Sequence, residues 1–129
     1  VSAAVAAAAR ILQEECHRAS FKAGWWVSPK TNAVYTKDEL LEVTGWKSLL
    51  IHSEVSEAAE GFRKDKMDDH LPHRKSAEVE LADAAIRIFD LAGMWGFDLG
   101  AAIQEKMAYN ANRADHKPAN RQAEGGKRY

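Results

Sequence analysis

The chain is 129 residues long, room for one domain with a modest core. Hydrophobic residues make up 46% and charged residues 29%, and 18 Lys+Arg against 19 Asp+Glu leave a formal net charge of -1. That balance excludes the global basic field that binds nucleic acid polymers in bulk, so any nucleotide chemistry must come from a local arrangement of charge.

The Ala-rich run Ala3 to Ala9 lacks a basic segment before it and leads into Arg10, Glu14 and Glu15, so it reads as amphipathic helix rather than a signal-peptide core. Ser2 is placed to cap that helix, which is expected to run to about Phe21–Lys22 and to end at Gly24. Cys16 is the one cysteine, which excludes an intrachain disulfide and suits a reducing compartment. Trp25 and Trp26 follow the helix end, and Ser28-Pro29 to Asn32 is a loop by composition. Thr36-Lys-Asp-Glu39 has capping-box form and opens a short helical piece that Gly45 is expected to interrupt.

A helix from about Trp46 to Lys64 carries the apolar stripe Ile51, Val55, Ala58 and Phe62, with Glu54, Glu57 and Lys47 on its flank and Glu60 pointing away. After the polar loop Lys66–Lys75, Ser76 is expected to cap a helix to about Ala92 with the stripe Val79, Ala82, Ile86 and Phe89. Glu80, Asp83 and Arg87 interleave with that stripe. Gly93 and Gly96 bracket a break, and Asp98 opens a last helix to about Ala114 that turns Lys106, Asn110 and Arg113 to one face. Residues 115–129 are polar and read as a tail or arm. No stretch approaches the length of a membrane span, so no membrane contact is expected. The expected fold is all-α, a four-helix-type bundle in a single domain over residues 1–129.

The chemistry lies in two acidic pairs, Glu54/Glu57 and Glu80/Asp83. Residues three apart on a helix share a face, roughly 5–6 Å apart at Cβ. Two such helices side by side gather four carboxylates, the donor type that hard cations such as Mg²⁺ or Mn²⁺ prefer. Carboxylates at the margin of a core stripe carry a heavy desolvation cost that a cation relieves. The blander reading is surface acidity. His70 and His73 read as turn residues, His17 as an ordinary residue of the first helix, and Trp25, Trp26 and Trp46 as core residues, of which Trp25 or Trp26 could instead stack on a base.

These motifs resemble those of the MazG-like nucleoside triphosphate pyrophosphohydrolases. Leu49–Arg63 is similar to the family's first motif, Glu80–Ala92 to its second, and Lys106-Met-Ala-Tyr-Asn-Ala-Asn-Arg113 to its third. Asp69–Arg74 and the end of the chain, Gly125–Tyr129, are similar to the short bacterial and phage members.

The resemblance implies hydrolysis of (d)NTP to (d)NMP and pyrophosphate, with water attacking the α-phosphorus and Mg²⁺ or Mn²⁺ as cofactor. By position it implies Glu54, Glu57, Glu80 and Asp83 as metal-binding and catalytic carboxylates. Lys106, Asn110 and Arg113 become the triphosphate row, with Lys47 as a phosphate contact or an ion-pair partner of Glu54. Arg87 falls to a structural counter-ion. It further implies homodimers or tetramers, a cytoplasmic setting in a bacterium or phage-infected cell, and a lean to purine substrates such as dGTP. Many members carry Glu where this chain has Ala58 and Val79, which leaves the number of metals and the general base open. Two rival classes are a ferritin-like carboxylate protein, for which Glu14-Glu-Cys-His17 offers one Glu-x-x-His motif but no second, and a helical interaction module without activity.

Overall fold

The computed structural model describes residues 3–129; the expected cap Ser2 lies outside the described residues. Helices α1 (Ala3–Lys22), α2 (Lys37–Lys64), α3 (Ser76–Met94), α4 (Leu99–Ala111) and α5 (Pro118–Gln122) follow in order, with a 3₁₀ turn at Ala114–His116. Among the described residues there is no named strand, only the isolated bridges Val27–Val34 and Met67–Lys75. The fold is an all-α helical bundle. Among the described residues, no helix is long and apolar enough to cross a membrane.

Helix α2 corrects the expected break at Gly45. Thr36 caps it by accepting from the Glu39 amide at 3.3 Å, and Asp38 and Glu39 sit in its positive first turn. A mid-helix glycine costs about 1 kcal/mol relative to alanine, too little to break a ladder this long. The helix stops at Asp65, whose backbone is left-handed at φ 47°. Helix α3 starts with Ser76 itself, Lys75 taking the cap position without a side-chain bond, and it continues through Gly93 to Met94. A Cβ on Gly93 would stand 2.5 Å from His17 Cβ, so this glycine admits α1 against α3. Helix α4 is capped by Asp98, which accepts from the Ala101 amide at 3.0 Å, and ends at Ala111, short of the expected Ala114.

The chain divides into two compact units, Leu12–Phe97 and Asp98–Tyr129 with the start of the chain up to Ile11. In the second, Ala6 and Ala9 are buried, a Cβ on Gly100 would collide with the Ala6 carbonyl oxygen, and Arg10 forks onto Asp98, its Nη2 at 2.8 Å. In the first, α2 and α3 form the central pair. Their contact is made by small residues: Ala58, Ala77 and Ala84 are buried, and a Cβ on Gly61 would come within 2.8 Å of the Ala77 amide nitrogen. That close approach faces Glu54 and Glu57 of α2 toward Glu80 of α3.

The apolar stripes are covered only in part. Of the α2 stripe, Ala58 is buried and Ile51 half-buried, whereas Val55 is exposed and Phe62 is 68% exposed. On α3, Val79 and Phe89 are half-buried but Ala82 and Ile86 are exposed, as are Leu81 and Ile88. Helical spacing identifies which residues share a face; it does not say what covers that face.

Candidate metal centre

Glu54, Glu57 and Glu80 each offer a carboxylate oxygen, and these oxygens lie within 4.8 Å of one another. Helix α2 supplies two of them a turn apart, and α3 supplies the third across the Gly61–Ala77 approach. Glu54 is buried, Glu80 half-buried and Glu57 exposed, so the group is anchored at one end and open at the other. Asp83, the fourth expected ligand, is not among the oxygens within that radius, yet its charge acts on both Glu57 and Glu80.

Crowded like charges hold protons. Burial, helped by hydrogen bonding with Glu54 and by the charges of Glu57, Glu54 and Asp83, pushes the Glu80 carboxyl up to about 7. Hydrogen bonding with Glu54 raises Glu57, and burial together with Glu54 raises Asp83. Glu54 goes the other way: burial opposes its ionisation, but the hydrogen bond from Arg87 and those shared with Glu57 and Glu80 outweigh it. Arg87 Nε donates to Glu54 Oε1 at 2.8 Å, in keeping with its expected role as counter-ion. Three hard oxygen donors, two of them with carboxyls raised by burial and by one another, are a donor set that fits Mg²⁺ or Mn²⁺.

Glu54, Asp83 and Arg87 also line a cleft of about 530 Å³. Its apolar walls include Ala19, Trp25, Leu50 and Ile86, and Lys47 and Asp90 add polar groups. Of the three converging carboxylates, Glu54 also lines the cleft, which links the two.

Among the described residues, Lys47 makes no ion pair with Glu54. Its Nζ lies 4.1 Å from the centroid of the Trp26 ring, a cation–π contact, and burial lowers its pKa against the opposing charge of Asp90. Trp26 is fully buried and its Nε1 donates to Asp90 Oδ1 at 2.8 Å, so Trp26 has no free face for a base. Trp25, 67% exposed, is the tryptophan of the cleft wall and has a ring available for stacking. Trp46, expected in the core, is exposed as well.

The triphosphate row belongs to the other unit. Lys106 Nζ lies 4.5 Å from the Tyr109 ring centroid, and Asn110 Oδ1 is buried without a hydrogen-bond partner among the described residues. Arg113 stands beyond the end of α4 and forks onto Asp115 at 2.9 and 2.6 Å, so the three do not share one continuous helical face. His70 is a turn residue as expected, its amide donating to Asp68 Oδ2 at 2.9 Å.

Sequence reasoning missed Asp90 and the part His17 plays. His17 Nδ1 lies 2.9 Å from Asp90 Oδ1, joining α1 to α3 across 73 residues. The available signal was Asp90 itself, a carboxylate set between Phe89 and Leu91 in an otherwise apolar stretch. No protein-family model matches the chain, and no curated protein or solved structure matches it at a significant level.

Proposed function

We propose that the protein is a divalent-metal-dependent nucleoside triphosphate pyrophosphohydrolase, cleaving (d)NTP to (d)NMP and pyrophosphate. The observation that carries this reading is the convergence of Glu54, Glu57 and Glu80 within 4.8 Å beside a cleft of about 530 Å³. The motif resemblance supplies the substrate class, and the lean to purine deoxynucleotides rests on it alone.

Glu54, Glu57 and Glu80 would hold Mg²⁺ or Mn²⁺, which when bound neutralises triphosphate charge and makes water more acidic. Arg87 orients Glu54 through Oε1. Glu57 is exposed and its carboxyl is raised by its hydrogen bond with Glu54, which suits it to accept the proton of the attacking water. Bond formation is between that water oxygen and the α-phosphorus, and the α–β anhydride bond breaks to release pyrophosphate. Trp25 would stack on the base. The phosphate-contact role of Lys106, Asn110 and Arg113 rests on the motif resemblance alone.

Self-association belongs to the same proposal. Phe62, Leu81 and Ile88 are exposed on the α2–α3 pair, and unpartnered apolar side chains of this size mark contact surfaces. A second copy is the occupant that the resemblance implies. An exposed apolar face also favours a bare interaction module, which would show no hydrolysis. The ferritin-like reading loses its one Glu-x-x-His motif, since His17 is engaged with Asp90. Release of pyrophosphate from nucleoside triphosphates with and without Mg²⁺ tests the assignment.

A further inference from the structure

Among the described residues, the guanidinium of Arg87 hydrogen-bonds the protein through one of its three nitrogens. Nε donates to Glu54 Oε1 at 2.8 Å, while Nη1 and Nη2 make no hydrogen bond to the protein among the described residues. Arg87 lines the cleft beside Glu54, Asp83 and Asp90, and its side chain keeps 41% of its surface exposed against 10% for Glu54. Arginine–carboxylate pairs are frequently forked, as Arg10 is with Asp98 and Arg113 with Asp115, although Arg18 and Arg74 each pair through one nitrogen. Arg87 instead spends its side nitrogen on the buried Glu54, and the same residue lines the cleft. Planar N–H pairs of this kind recognise phosphate oxygens in the same fork geometry as carboxylates.

We propose that Arg87 acts at both ends: Nε fixes Glu54 in the orientation a metal ligand needs, and the terminal nitrogens bind a phosphate oxygen of the substrate. This rests on the hydrolase reading and adds to it a phosphate contact on the same unit as the carboxylates. A positioning role and a substrate-binding role make separate predictions, because one concerns cation affinity without nucleotide and the other concerns the anion.

The test uses the full-length chain and the variants Arg87→Met and Arg87→Lys, with circular dichroism to confirm the wild-type helical signal. Mn²⁺ binding is measured by calorimetry without nucleotide, and binding of a non-hydrolysable α,β-imido dNTP is measured with saturating Mn²⁺. Arg87→Met is expected to weaken Mn²⁺ about 10-fold or more, in the roughly 10–100-fold range of residues that orient metal ligands. Arg87→Lys keeps a charge but not the fork, and is expected to recover part of the Mn²⁺ affinity while still binding the analogue at least about 10-fold more weakly than wild type. Tighter Mn²⁺ binding by Arg87→Met would mean that Arg87 competes with the cation, overturning the positioning half. Analogue affinity unchanged in both variants would overturn the phosphate half. Wild-type protein that binds Mn²⁺ and cleaves a triphosphate while Arg87→Met matches it in every measurement removes this inference alone. Wild-type protein that does neither removes the hydrolase reading with it.

Discussion

Trp26 Nε1 donates to Asp90 Oδ1 at 2.8 Å from a position with no exposed surface, and the same oxygen lies 2.9 Å from His17 Nδ1. One carboxylate oxygen on α3 thereby fastens both α1 and the loop that follows it. Asp90 is itself buried, so removing a partner leaves polar atoms without water to replace it.

Trp26→Phe should therefore destabilise the fold by about 1–3 kcal/mol through the Asp90 oxygen left short of a donor. Trp25→Phe, at an exposed ring, should change stability by less than about 0.5 kcal/mol. Urea unfolding followed by circular dichroism checks both, and equal effects at the two positions would contradict this account of Asp90.

Glu80→Gln should separate stability from function. Without divalent ions the variant removes the carboxyl that burial and its neighbours push up to about 7, so its Tm in EDTA should exceed wild type near neutral pH. With Mg²⁺ it should lose hydrolytic activity by at least about 100-fold, since even residues that only orient metal ligands cost roughly 10–100-fold. A lower Tm in EDTA would show that Glu80 stabilises the fold as an anion.

The pH dependence follows from the same residue. Its folded value of about 7 exceeds the ordinary 4.5, so the folded state binds the extra proton and this group's contribution to stability is lost as pH rises from 4.5 through 7. The Tm advantage of Glu80→Gln over wild type in EDTA should grow across that window. Mn²⁺ held by Glu80 would have to displace the proton, so the stabilisation it gives wild type should increase as pH rises toward 7 and level off above it. Thermal scans from acid to mildly alkaline pH, with EDTA or Mn²⁺, read both trends; a flat Mn²⁺ effect would place the cation elsewhere.

Self-association predicts a sedimentation mass of at least two chains at micromolar concentration. Phe62→Glu, at a side chain already 68% exposed, should shift the equilibrium toward monomer without loss of helix. A wild-type monomer at that concentration would remove the second copy from the account.

The acidic pairs were legible because three-residue spacing is enough to put Glu54 with Glu57 on one helical face, and because Glu80 sits amid apolar neighbours. The helices were legible for the same reason. Gly45 misled, since a glycine penalty is local whereas the α2 ladder is cooperative over the whole helix. Adjacent Trp25 and Trp26 could not be told apart: both follow the helix end, and only the fold decides that one is sealed and the other exposed. The Asp90 link to His17 joins positions 73 apart, a distance no local periodicity reports. Val55 and Phe62 share a helical face, as their spacing requires, but both are exposed, and what would cover that face is not written in its spacing. Asp83 shares a helical face with Glu80 yet stands outside the set of ligand oxygens within 4.8 Å, because spacing fixes a face and side-chain direction fixes a ligand.

The most direct test is pyrophosphate release from a mixture of the four dNTPs by wild-type protein, with Mg²⁺ and with EDTA, alongside Glu54→Gln. The account predicts release that requires the divalent ion, yields one dNMP per pyrophosphate, and falls to background in Glu54→Gln. Release of orthophosphate instead, release that persists in EDTA, or no release from any nucleotide would contradict it.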